Sequence, residues 1–139
     1  MKVLVARNNR PGSWLIRLVT MGKWSHAALL LPNGLVIDTT LTTGVRASPV
    51  MAWIRDYPTH EVIDVDLPDE EKAINFARAQ LSKPYDWTAI FGMLLQRNWQ
   101  DQDSWFCSEL VEAALSAGGR KRFRDDVSRI TPHQTWAVM

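Results

Sequence analysis

The chain has 139 residues, enough for one domain with a proper core, and 46% of them are hydrophobic against 22% charged, the balance of a globular protein. A formal net charge of +1 shows no pull towards nucleic acid or an acidic surface. A single cysteine excludes an internal disulfide framework and a clustered-Cys zinc site, and His26, His60 and His133 lack metal-ligand spacing, so no metal and no cofactor is expected.

Lys2 to Ala6 is a short apolar run and reads as a strand, followed by a turn-rich loop from Arg7 to Gly12. Ser13 can cap a short helix through Met21, with Gly22 just past its end. Two strands of a hairpin, Ser25 to Leu31 and Leu35 to Thr40, flank Pro32-Asn33-Gly34. Pro presets the first turn position and Gly supplies positive φ, which favours a three-residue loop pairing Leu31 with Leu35. In that register Ala28 opposes Asp38 and His26 opposes Thr40, so all four share one face. A two-residue Asn-Gly turn would send Asp38 to the other face.

Thr42 to Ala47 is a loop or short strand, and Ser48-Pro49 opens a short helix near Val50 to Arg55. Glu61 to Leu67 alternates as a strand. Pro68-Asp69-Glu70-Glu71 is an acidic helix start, with an apolar stripe Ala73, Ile74, Ala77, Leu81 and a stop at Lys83-Pro84. Trp87 to Leu95 reads as an apolar helix, half the length of a membrane span, and Gln96 to Asp103 as a polar loop. The run 120–126 is charged and reads as an exposed loop, and Ile130-Thr131-Pro132 leads into a last short segment. Together these give an α+β domain over 1–139, with helices packed on an antiparallel sheet. No signal-peptide core is evident, so a cytoplasmic location is expected, with delivery elsewhere by another route left open. Seven tryptophans are read chiefly as core, with some lining a groove as the alternative.

The lone cysteine sits in Ser104-Trp105-Phe106-Cys107-Ser108-Glu109-Leu110-Val111, ahead of an apolar helix closing on Gly118-Gly119. With Ser104 or Asp103 as cap, Cys107 falls in the first turn, where free N–H groups and the helix dipole favour a thiolate. Trp24-Ser25-His26 opens a strand that could carry its base, and Asp38 on the next strand could fix the imidazole. Cys107 also shares a helical stripe with Val111 and Ala114, the pattern of an inert core thiol, and spacing alone does not choose. His26 and Asp38 have equally plain readings, as a strand-end histidine and a solvent-facing strand carboxylate.

The order of His first and Cys last resembles circularly permuted papain-like enzymes, the YiiX/YebB-like branch of the NlpC-type superfamily, to which lecithin:retinol acyltransferase-like proteins are related. The matching pieces are Ser25-His26 entering a strand after a small helix and Gly22, Asp38 on the next strand, Pro84-Tyr85-Asp86, and Phe106-Cys107-Ser108-Glu109-Leu110-Val111. The resemblance implies a permuted papain-like (NlpC-type) domain with the catalytic Cys at a helix N-terminus. It implies Cys107 as nucleophile, His26 as base and Asp38 as orienter, with Thr40 and Asp64 as alternative orienters. Relatives often place His or Glu at that third position. Tyr85, Trp24, Ser25 and Thr40 are the candidates for lining the site. The expected activity is cysteine-dependent hydrolysis of peptide or isopeptide amides, with a peptide or cell-wall fragment as substrate. The alternatives are a lipid-directed acyltransferase or thioesterase, and a catalytically silent interaction module.

Overall fold

The structure is a computed structural model, and it describes residues 1–86, 105–123 and 130–138. Five strands form one sheet: β1 (Lys2–Arg7), β2 (His26–Leu30), β3 (Leu35–Thr40), β4 (Gly44–Pro49) and β5 (Thr59–Asp64), in the order β4-β3-β2-β1-β5. Every pairing is antiparallel. Five helices are described: α1 (Pro11–Thr20), α2 (Val50–Asp56), α3 (Glu70–Ala79), α4 (Cys107–Ala117) and α5 (Pro132–Ala137). No helix among the described residues is long and apolar enough to cross a membrane.

The apolar run of β1 is continuous because the strand is covered on both faces. Val3 joins Ala27, Leu29, Leu31 and Ile37 under α3 and α4, which add Ala73, Ala77, Leu110, Val111, Ala114 and Leu115. Leu4 and Ala6 join Ala28 and Val36 on the other face, closed by Trp53 of α2. Of the tryptophans, Trp24 and Trp53 are buried while Trp14 is 59% exposed, and Trp87 and Trp99 lie outside the described residues.

The β2–β3 turn follows the three-residue expectation. Leu31 N–H donates to Leu35 O at 2.8 Å, Gly34 sits at φ +79°, and Leu29 pairs with Ile37. Asp38 and His26 therefore share the α2 face of the sheet. The Thr42–Ala47 stretch resolves as strand β4, in register with β3 so that Asp38 faces Arg46.

Some boundaries differ from expectation. Helix α1 starts at Pro11, whose fixed φ suits a first helical position, and not after a Ser13 cap. The Ser13 hydroxyl instead accepts from Asn8 N–H at 3.2 Å and meets the Ser25 hydroxyl at 2.6 Å. Strand β5 begins at Thr59, two residues early, because its pairing with β1 continues to Arg7↔Thr59. Helix α3 has its Asp69 cap, which accepts from Lys72 N–H at 3.0 Å, but ends at Ala79, leaving Leu81 37% exposed. There the Gln80 side chain turns back to Phe76 O at 3.1 Å and Ser82 takes φ +71°. The residue at the N-cap of α4 is Phe106; Ser104 and Asp103 lie outside the described residues, as do the expected Trp87–Leu95 helix and the Gln96–Asp103 loop.

The basic run is not all solvated. Arg122 is buried against Glu112, donating Nε–H to Oε2 at 3.1 Å, while Thr135 donates to Glu112 Oε1 at 2.9 Å. Burial holds the Glu112 pKa above its usual range, opposed by Arg122 and Thr135. A charge taken from water needs such partners, and this one ties α5 to α4.

Candidate active site

His26 is the first residue of β2, at the end of the sheet where α4 begins. Its Nε2 lies 2.8 Å from Asp38 Oδ2, and Cys107 is near enough to favour the imidazolium electrostatically. With Nε2 engaged by Asp38, Nδ1 is the atom left for sulfur. In the neutral ring Nε2–H donates to the carboxylate and Nδ1 is the acceptor; in the imidazolium both nitrogens donate.

Asp38 is fully buried and holds three donors. Besides His26, Trp53 Nε1–H reaches Oδ2 at 3.0 Å and Arg46 Nε–H reaches Oδ1 at 2.9 Å. Burial pushes its pKa up, but His26 and Arg46 outweigh burial and leave it below the usual carboxylate value. Burial likewise disfavours a charged His26, yet Tyr57, Asp38 and Cys107 reverse the balance and hold its pKa well above an ordinary histidine. Tyr57 stacks on the imidazole with the planes 3° apart and centroids at 4.6 Å, and Trp53 backs Tyr57 at 4.7 Å. An electron-rich ring face against imidazolium favours the protonated form.

Cys107 is 1% exposed and packs with Tyr85, Phe106, Ile16 and Leu41. Its helix is capped from within: Phe106 N–H donates to Glu109 Oε2 at 3.3 Å. The approach to Cys107 is fixed by backbone. Trp105 N–H donates to Pro84 O at 3.1 Å and Asp86 N–H to Trp105 O at 3.2 Å, pairing Trp105 with Tyr85. Thr39 Oγ1 also donates to Trp105 O, at 3.3 Å. The residues just before Tyr85 are tied to β4, with Val45 N–H on Lys83 O at 2.8 Å. Gly44 has φ +66°, and a Cβ there would stand 2.1 Å from Lys83 O, so only glycine fits.

A cavity of about 230 Å³ opens beside His26. Ser25, His26, Thr40 and Tyr85 line it, and Tyr85, Ile16 and Leu41 also contact the cysteine cluster, so cavity and thiol share a wall. Burial, with the charges of Cys107 and Glu109, holds the Tyr85 pKa well above the usual tyrosine value, so it stays a neutral phenol.

The structure thus joins His26 and Asp38 by a hydrogen bond and places Cys107 beside them at the start of α4. It does not bring Trp24 to the cavity: that ring is 1% exposed, under Lys23 Nζ at 4.4 Å. Thr40 spends its hydroxyl on Thr43 at 2.6 Å, and Asp64 lies on β5 beside Lys2. Arg46, Trp53 and Tyr57 were missed by sequence reasoning. Only Arg46 had a signal there, an opposite charge across a possible strand pair from Asp38.

The family model of permuted papain-like amidase enzymes, the YaeF/YiiX, C92 family, matches residues 9–127. This chain belongs to that family. Its fold is also that of yiiX from Escherichia coli O157:H7, a crystal structure described as a metalloprotein, with a TM-score of 0.63 at 22% identity over 87% of this chain and 67% of that one. No curated protein is similar enough to count as a match. Among the described residues, no three His, Cys, Asp or Glu side chains come together to hold a metal ion.

Proposed function

We infer that the protein is a cysteine-dependent hydrolase of peptide or isopeptide amides, in which Cys107 is the nucleophile, His26 the base and Asp38 the orienter. The observation that carries the reading is the His26 imidazole hydrogen-bonded to buried Asp38 beside Cys107, itself the first residue of a helix. The Cys107 thiolate attacks the amide carbonyl carbon, and the C=O π electrons move onto oxygen. The Cys107 N–H, which a first helical turn leaves without an intrahelical acceptor, faces that oxyanion. His26, protonated on Nδ1, gives its proton to the leaving nitrogen as the C–N bond breaks. A thioester and a free amine result. Water then attacks the thioester, His26 takes its proton, and the C–S bond breaks to release the carboxylic acid and regenerate the thiolate. Throughout, Asp38 keeps Nε2 protonated and compensates the imidazolium charge.

Peptidoglycan stem peptides and isopeptide links are the substrates favoured within this class. The test is a panel of peptide, isopeptide and thioester substrates against the wild-type protein and Cys107→Ala, with iodoacetamide labelling of the native protein. Turnover that vanishes in Cys107→Ala and falls in step with native alkylation is the expected result. A thiol that reacts only after denaturant is added marks a structural cysteine and sinks the reading.

A further inference from the structure

Arg46 has unspent donors beside the proposed catalytic row. A guanidinium carries five N–H donors in a planar fork. Arg46 uses Nε–H on Asp38 Oδ1 at 2.9 Å, and its Nη1 and Nη2 groups meet no hydrogen-bond acceptor among the described residues. The side chain is 32% exposed and lines the same cavity as His26, Thr40, Thr42 and Tyr57. The other arginine lining the cavity, Arg10, is tied through Nη2 to Asp56 Oδ1 at 3.2 Å. Asp56 also acts on Arg46 through its charge, but its hydrogen bond goes to Arg10.

We propose that Arg46 forms a carboxylate-binding subsite, so that the favoured substrates are amides bearing a carboxylate next to the scissile bond. Anchoring through Nε fixes the plane of the guanidinium and leaves its terminal donors for two parallel bonds to a carboxylate, the match that distinguishes Arg from Lys. Arg46 then has two tasks, holding Asp38 on one side and selecting substrate on the other. The subsite deepens the amidase reading and rests on it.

The experiment measures binding without turnover. Full-length Cys107→Ala protein is titrated calorimetrically with two probe pairs: N-acetyl-Ala-Ala with a free C-terminal carboxylate against its C-terminal amide, and N-acetyl-Glu amide against N-acetyl-Gln amide. In at least one pair the carboxylate form should bind at least about tenfold tighter. Adding Arg46→Gln should bring that pair to parity, and Arg46→Lys should restore the preference only in part. A variant that merely disturbed Asp38 or the fold would weaken both members of a pair equally and keep their ratio. No carboxylate preference in either pair, absence of binding at millimolar concentration included, or a preference that survives Arg46→Gln overturns the proposal. Because the thiol is absent from this experiment, failure here leaves Cys107-dependent turnover standing, and failure of turnover leaves the binding ratio readable.

Discussion

Replacing Asp38 by Asn isolates what its charge does for His26. The side chain keeps its size in a fully buried position. Its single carbonyl oxygen cannot serve all three donors. If that oxygen takes the Oδ2 place, it keeps His26 and Trp53, and the new NH2 meets Arg46 Nε–H donor to donor. The reverse rotamer loses two partners, so the first is favoured. One charge-assisted bond, worth about 1.5–3 kcal/mol, is lost, and the bond to His26 falls from charged to neutral, about 1–1.5 kcal/mol. The second figure reaches the transition state, where His26 is charged, and corresponds to roughly a tenfold fall in kcat/KM. The loss is small beside that of a missing base because the Asn oxygen still selects the Nε2–H tautomer. Without the carboxylate the imidazolium form is less favoured, so the pH–rate profile should shift. Urea unfolding gives the second readout. The folded-state pKa of Asp38 is lowered, so its stabilising contribution is complete above the unfolded carboxylate value, about 4. It is lost as pH falls through the still lower folded value. The stability gap between wild type and Asp38→Asn should therefore be full at pH 6 and narrow below about pH 4. Full kcat/KM across the pH profile in a folded Asp38→Asn protein would refute the argument and leave a Cys-His dyad.

Tyr57→Phe keeps the ring stacked on His26 and should hold kcat/KM within about twofold, whereas Tyr57→Ala removes a stack worth about 0.5–1.5 kcal/mol and should lower it two- to tenfold with a changed pH profile. Equal activity in the two variants would deny the stack a positioning role. Gly44→Ala places a Cβ against Lys83 O in left-handed backbone and should cost on the order of 2 kcal/mol or more in urea unfolding. An unchanged midpoint would show that the contact between Gly44 and Lys83 yields freely.

Where the determinants are local, the chain can be read directly. Pro32-Asn33-Gly34 dictates its own loop geometry, and that loop alone puts Asp38 on the face of His26. Asp69 before two glutamates marks a helix start for the same reason. The partners that complete the site depend on packing between distant elements. Trp53 and Tyr57 reach Asp38 and His26 only because α2 folds down over the sheet, and nothing in the run Val50 to Tyr57 announces that. Arg122 looked like part of a solvated basic loop because its acid, Glu112, is carried by a different element, α4. Trp24 stands two residues before His26, but it precedes β2, so strand alternation does not place its ring, which is buried under Lys23 and does not line the cavity.

The distribution of the row along the chain sets an order of assembly. His26 and Asp38 are 12 residues apart in one hairpin, whereas Cys107 arrives on a helix near the far end. During synthesis at about 5–20 residues per second, the hairpin leaves the ribosome on the order of ten seconds before the thiol. A lone hairpin is marginal in water, so the base waits for β1 and α2 to close around it. Bringing Cys107 to His26 closes a far longer stretch of chain than the hairpin does, and contacts of long sequence separation are the slow ones to form.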